Sequence, residues 1–324
     1  LTTLRNKIKS SKDLKRFEKQ TKSIEKEITL FHAKAASKII KKSKLNIDFI
    51  GFHGQTIFHN AEEQISRQIG DGKLLSKLTK KKVVYNFRQN DLKNGGQGAP
   101  LTPIFHSILV KQKKISLPAV ILNIGGIANY TFIDEKGVSS SSDLGPGNCL
   151  IDQWVRLNSK KKYDENGRIA KSGKVKKINL NKALKNFKKK KLIKSSFDVK
   201  DFDISFVRGL SLEDGAATLT EYTSEILYEY LIDPEKGTWE NTIMAGGGRK
   251  NKFLIKSIED KIKSLGTLNS PLKLIDDYGV DGDFVESQAF AYLAIRSYLN
   301  LPISFPETTG VSEPCNGGTI VKNF

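Results

Sequence analysis

The chain has 324 residues, 38% hydrophobic and 27% charged, which is enough apolar material for the cores of two ordinary domains and excludes wholesale disorder. No window approaches the ~18 unbroken apolar residues of a membrane span, and no apolar signal segment stands near Leu1. Cys149 and Cys315 form neither a CxxC nor a Cys/His cluster, so no disulfide framework or zinc site is written here; the expectation is a soluble cytoplasmic protein.

The formal charge of +19 is concentrated locally. Residues 1–46 carry fourteen basic and four acidic side chains, a net of +10, and residues 160–200 carry sixteen and three, a net of +13. The remainder is slightly acidic. Lysine outnumbers arginine 45 to 9. Base-edge readers favour the planar arginine fork, whereas lysine is a hydrated point charge suited to solvated faces. Lysine-dressed helices are therefore expected rather than a nucleic-acid surface.

In chain order, residues 12–44 read as one or two amphipathic helices. Leu14, Phe17, Ile24, Ile28, Phe31, Ala35 and Ile39 recur at helical spacings. A strand at 48–52 ends in His53-Gly54-Gln55-Thr56, and another at 82–85 leads through Asn86-Phe87-Arg88 into Gly95-Gly96-Gln97-Gly98-Ala99-Pro100, a tight loop with a helix beyond. The pattern restarts near 117. A buried strand at 119–122 runs into Asn123-Ile124-Gly125-Gly126, and a second at 130–133 closes a hairpin. Four serines precede a sharp turn, Asp143-Leu144-Gly145-Pro146-Gly147-Asn148, and 150–157 looks helical. Short helices and loops are expected across 160–200. A strong helix covers about 212–231, with Ala216, Leu219, Ile226 and Tyr230 on one face and Asp233-Pro234 and Gly237 as stop signals. A strand at 242–245 feeds Gly246-Gly247-Gly248, helix resumes from Asn251, and a last helix covers about 283–300. No internal repeat is found. Strands ending in glycine turns describe an α/β protein with ligand contacts at strand ends. The restart predicts domains of 1–116 and 117–324.

The turns at 125–126 and 246–248 suit a phosphate tail, which needs backbone N–H groups without a Cβ in the way. Neither is a P-loop or a dinucleotide fingerprint. Asp143 is compatible with two roles, a turn cap or a general base aimed by its rigid turn. His53 and His59 fit structural hydrogen bonding as well as catalysis. Arg88 and Gln97 suit a grip on a sugar or carboxylate, and Glu286 opens a helix.

Taken together, these motifs, with Gln68-Ile69-Gly70-Asp71 and Asn251, resemble the anhydro-N-acetylmuramic acid kinases in the sugar kinase/Hsp70/actin superfamily. Their order and spacing fit from about residue 48 onward. The resemblance implies a two-domain α/β fold, ribonuclease H-like, with ATP and Mg²⁺ in an interdomain cleft. It implies hydrolytic opening of 1,6-anhydro-N-acetylmuramic acid with phosphorylation of O6, giving N-acetylmuramic acid 6-phosphate in cell-wall recycling. Asp143 would be the general base, and His53, Gln55, Thr56, Arg88, Gln97 and Glu286 would line the sugar site. Asn123, Gly125, Gly126, Gly145, Gly246, Gly247, Gly248 and Asn251 would face the nucleotide; metal ligands stay unassigned. The expected partner is the small sugar, with a homodimer open and neither nucleic acid nor membrane involved.

Family members begin with a strand and a Gly-Thr-Ser-x-Asp-Gly loop. The expectation is that such a piece, on the order of 30–40 residues, belongs upstream of Leu1; a catalytically inactive fragment or relative that binds muramyl sugars is the alternative. Asn86 stands where the family usually has Asp, and Lys194-Ser195-Ser196-Phe197 loosely follows a Lys-Ser-Thr-Gly pattern.

Overall fold

Among the described residues ten strands are formed, β1 (Phe49–Phe52), β2 (Gln55–Asn60), β3 (Ile65–Ile69), β4 (Lys82–Tyr85), β5 (Ala119–Ile124), β6 (Ile127–Ile133), β7 (Ser139–Pro146), β8 (Asn241–Ala245), β9 (Lys273–Leu274) and β10 (Thr319–Val321). The computed structural model describes residues 1–192, 197–232, 241–264 and 272–324. The stop signals at Asp233-Pro234 and Gly237, and Lys194-Ser195-Ser196, lie outside the described residues. No described helix is long and apolar enough to cross a membrane.

The chain divides into two units, one of residues 1–105 and 286–324, the other of residues 106–285. This corrects the single break expected near 117. The boundary falls earlier, and the chain after Val285 returns to the first unit. Sequence periodicity marks where a pattern restarts but carries no signal for a strand that pairs backwards over more than two hundred residues, as β10 does with β4.

In the second unit the order β7-β6-β5-β8-β9 has β6 antiparallel to both neighbours and β5, β8 and β9 mutually parallel. This is the ribonuclease H-like arrangement expected. β5 is central, and Ala119, Val120, Ile121, Leu122 and Ile124 are fully buried, so it reads as an unbroken apolar run. Alternation puts Val120, Leu122 and Ile124 on one face. They pack with Leu227, Tyr230 and Leu231 of helix Leu212–Leu231 and with Leu254, Ile258 and Ile262 of helix Lys252–Ser264. A second core joins Leu150, Ile151, Trp154 and Val155 of helix Cys149–Asn158 to Leu180, Ala183 and Phe187 of helix Lys177–Lys191. The lysines of that last helix lie mostly in solvent, the solvated face expected from the charge pattern. Residues 139–146 form a strand, where serines and a turn were expected, because pairing with β6 overrides the low strand propensity of serine and glycine.

In the first unit β4 lies between a parallel β1 and an antiparallel β10. Val84 meets Phe87, Leu101, Phe290, Leu293, Ala294 and Ile303, while Val83, on the opposite face, meets Ala33, Phe52 and Leu75. Strands β2 and β3 form a separate hairpin. Its Ile57, Phe58 and Ile69 are covered by Leu4, Ile8, Leu14, Phe17, Ile24 and Ile28. The amphipathic stretch is helix Ser11–Arg16 followed by helix Glu18–Ser43. Its stripe differs from expectation: Phe31 and Ile39 stay 71% and 66% exposed. Thr29 and Ala33 are buried instead, since a straight helix rotates a mixed three-and-four spacing away from the contact line.

Leu122→Ala should cost about 2–5 kcal/mol, because the double-sided packing of β5 leaves little room for collapse. Urea unfolding followed by circular dichroism checks this; an unchanged midpoint would show that β5 is not the core strand.

Candidate active site

Antiparallel register places Asn129 of β6 opposite Asn123 of β5 and Asp143 of β7 opposite Asn129, while parallel register sets Ala245 of β8 beside Asn123. Four strands thus contribute one row at the end of the sheet where β5 and β8 finish. The Asn123 amide donates to Asn129 Oδ1 at 3.5 Å along it. Between Asp143 and Gly145 the pairing slips by one residue, a β-bulge, and bulges re-aim neighbouring side chains. The half-buried Asp143 carboxylate accepts the Phe197 N–H at 2.8 Å.

The two glycine turns leave from this row. Gly126 and Gly247 are exposed, as backbone approach by an anion requires. The carbonyl of Gly125 accepts Asn148 N–H at 2.8 Å, and that of Gly126 accepts Gly147 N–H at 2.9 Å, so the first turn is fixed from below. The Asn148 amide also donates to Ile124 O at 3.2 Å. Gly246 sits at φ +76, where a Cβ would lie 2.4 Å from Asn123 Oδ1, so both conformation and contact demand glycine. Gly248 is buried over Ile124, and Gly145 is buried beneath Phe187 and Ile226. Asn251 is buried and caps the following helix by accepting Leu254 N–H at 3.0 Å. The last three sites hold backbone together rather than line a surface.

Composition and motif gave no sign of Arg249. Its side chain is 2% exposed. Nε and Nη2 grip Asp276 at 2.6 and 3.0 Å, and Nη1 reaches Asp283 and the Gly246 carbonyl, both at 3.0 Å. The paired guanidinium holds the Asp276 carboxyl down at about 2. The fork ties the 246–248 turn to the 276–283 loop, a geometry that lysine would not reproduce.

The sugar-site residues expected from the motifs lie in the first unit. Arg88 Nε donates to His53 Nε2 at 3.0 Å, and its Nη1 donates to Gly98 O at 2.7 Å. His53 Nδ1 lies 2.9 Å from Gly54 O, and a carbonyl only accepts, so Nδ1 carries the proton and Nε2 is bare. The His53 ring packs at a tilt against Phe290, with centroids 4.4 Å apart. Burial, and then the Arg88 charge, push its pKa down to about 4. Burial likewise pulls Arg88 down to about 10 against the opposing pull of Glu286 and Asp91. Glu286 is exposed, at the start of helix Val285–Tyr298. The Gln55 side chain is exposed, and Thr56 Oγ1 accepts from Gln68 Nε2 at 3.2 Å. The Gln97 side chain is exposed while its N–H donates to Thr309 O at 2.8 Å. His59 bonds Ser66 Oγ at 2.9 Å. Asn86 adopts φ 58, a left-handed conformation that asparagine tolerates.

Two further carboxylates organise these loops without having been singled out in the sequence. Glu25 Oε1, on the long helix, accepts Gly70 N–H at 3.0 Å and Arg67 Nη2 at 2.9 Å, seating the Gln68-Ile69-Gly70-Asp71 motif. Asp91 is wholly buried beneath the 95–98 loop. Side chains that act through backbone of distant segments leave no spacing pattern to read.

A ribonuclease H-like sheet with paired glycine turns at its strand ends defines an α/β fold of the kind that presents backbone to a phosphate tail. A family model described as anhydro-N-acetylmuramic acid kinase matches residues 2–323. A protein of that name from Pelagibacter ubique (strain HTCC1062) is 54% identical across 100% of this chain and 87% of its own length. One from Zymomonas mobilis is 42% identical, covering 90% and 79%, and one from Brucella canis is 38% identical, covering 93% and 81%. The activator of the 2-hydroxyisocaproyl-CoA dehydratase from Clostridium difficile, solved with bound ADPNP, aligns at 15% identity and a TM-score of 0.38 over 73% of this chain and 88% of its own. The chain belongs to the anhydro-N-acetylmuramic acid kinase family and is an enzyme of the sugar-kinase class.

His106, buried with its Nδ1 2.7 Å from Thr131 Oγ1, is also held near pKa 4 by burial. A histidine lowered from 6.5 to about 4 takes up its proton more readily in the unfolded chain, so its contribution to stability is lost as pH falls through that window. Asp152, raised by burial to about 6, acts with the opposite sign between about 6 and 3.8. The urea midpoint of His106→Gln should therefore drop less between pH 7 and 4.5 than that of the parent. Equal drops would mean that His106 is not kept neutral by the fold.

Proposed function

We propose that the protein uses MgATP and water to convert 1,6-anhydro-N-acetylmuramic acid into N-acetylmuramic acid 6-phosphate and ADP, in the cytoplasmic recycling of cell-wall sugars. The single observation that carries this reading is the row of Asp143, Asn129 and Asn123, which sets a carboxylate level with both glycine turns.

The exposed backbone at Gly126 and Gly247 would take the phosphate tail, and Arg249 would hold the second turn in place from behind. Among the described residues no group of three or more His, Cys, Asp or Glu side chains forms a metal cage. Mg²⁺ suits arrival on the phosphates themselves, since it retains waters and needs few protein carboxylates. Among the described residues Arg88 has only Nε and Nη1 engaged, which leaves its Nη2 edge for the lactyl carboxylate of the sugar. Gln55, Gln97 and Glu286, all exposed, would supply hydroxyl and amide contacts.

Asp143 accepts a proton from water as the water oxygen bonds to the anomeric carbon. The C1–O6 bridge bond breaks, and O6 takes the γ-phosphoryl group as the bond to the ADP oxygen breaks. The Phe197 N–H donates to the Asp143 carboxylate and so orients it. Asparagine has the same shape but cannot take that proton.

Asp143→Asn should lower turnover by about a thousandfold while calorimetric ATP affinity stays close to that of the parent. Phosphate transfer at parental rate would remove Asp143 from the role of base.

A further inference from the structure

We infer that Asp91 is a positioning residue for Arg88, holding the guanidinium edge that receives the sugar carboxylate by clamping the 95–98 loop; this rests on the sugar-kinase reading above. Asp91 lies on the short helix Gln89–Lys93 and is 0% exposed. Its Oδ2 accepts Gly98 N–H at 2.5 Å, and its Oδ1 accepts the Thr309 hydroxyl at 2.5 Å. The loop lies so close over the carboxylate that a Cβ on Gly96 would sit 2.3 Å from Oδ2, which only glycine allows. From Gly98 the chain of contacts continues outward: the Gly98 carbonyl accepts Arg88 Nη1, and Arg88 Nε reaches the bare Nε2 of His53. Thr309 closes the other side, since its carbonyl accepts Gln97 N–H at 2.8 Å.

A carboxylate is buried here although, among the described residues, no Lys or Arg pairs with it. Among the described residues Arg88 likewise has no carboxylate within ion-pair distance. Against burial, Glu286 and then Asp91 raise the affinity of Arg88 for its proton. Two acceptors aimed at two donors, the Gly98 N–H and the Thr309 hydroxyl, explain the side chain's shape. An asparagine keeps most of the shape, because the Thr309 hydroxyl can turn to accept. It loses the charge.

Three variants, Asp91→Ala, Asp91→Asn and Thr309→Val, separate these effects. Asp91→Ala should raise KM for 1,6-anhydro-N-acetylmuramic acid by about tenfold or more, the fold-change expected from stranding a buried donor, with calorimetric ATP affinity unchanged. It should also narrow the preference for that sugar over 1,6-anhydro-N-acetylglucosamine, which lacks the lactyl carboxylate. Asp91→Asn and Thr309→Val should shift the same quantities less, the asparagine variant partly rescuing alanine. Without any substrate, the ¹⁵N shifts of His53 at neutral pH should report the single Nδ1–H tautomer in the parent and mixed tautomers in Asp91→Ala. The proposal is overturned if His53 signals and the sugar preference stay parental in the alanine and asparagine variants, or if ATP and sugar affinity fall together as in a general folding defect. A parent protein inert on the anhydro sugar would defeat the functional reading alone, since the His53 measurement still decides the positioning role.

Discussion

The parallel pairing of β5 with β8 is the constraint from which the second unit follows. Register sets Asn123 beside Ala245, so the turns that leave these strands emerge as neighbours although more than a hundred residues separate them. The antiparallel partners then bring Asn129 and Asp143 to the same level. A slip of one residue in any of these pairs would turn the side chains to the opposite face. The burial of β5 on both sides is what makes such a slip expensive, because it would exchange fully packed aliphatic side chains for ones of another shape.

Both units solve the problem of holding a loop still in the same way. A largely buried charged group reaches several backbone or side-chain partners at once: Arg249 to Asp276, Asp283 and Gly246 O, Asp91 to Gly98 and Thr309, Glu25 to Gly70 and Arg67. Burying a charge is unfavourable unless its hydrogen-bonding capacity is filled. Such an anchor is therefore stable only in the one loop conformation that fills it. Glycines at 96 and 246 complete the device by admitting close backbone approach where any side chain would collide.

The polarity of His53 illustrates how a guanidinium is oriented without a ligand. The Gly54 carbonyl decides which ring nitrogen keeps the proton, and burial against Phe290 keeps the ring neutral. The bare nitrogen orients Arg88, so the cation is aimed by a neutral neighbour and does not lose charge to a direct ion pair. A guanidinium held in this way stays available to an anionic group of a substrate.

Much of the candidate site is visible in the sequence alone. Glycine doublets after apolar runs report strand ends and turns because a bare backbone has few other uses there, and the 3.6-residue spacing of Leu219, Ile226 and Tyr230 reports a helix face directly. Asp143, Arg88, His53 and the turns at 125–126 and 246–248 are all visible as local chemistry in sequence order. The serine-rich β7, the return of β10 to β4, the exposure of Phe31 and Ile39, and the anchors Asp91, Glu25 and Arg249 were not. Each depends on a partner from a remote part of the chain, and a carboxylate that accepts a distant backbone N–H looks in sequence like any surface acid. The sequence by itself thus determined the family and most element types and singled out the candidate polar groups, since these reside in local pattern; tertiary structure alone decided register, the second crossing between units and the loop anchors, because pairing over long separations is set by packing and leaves no local trace.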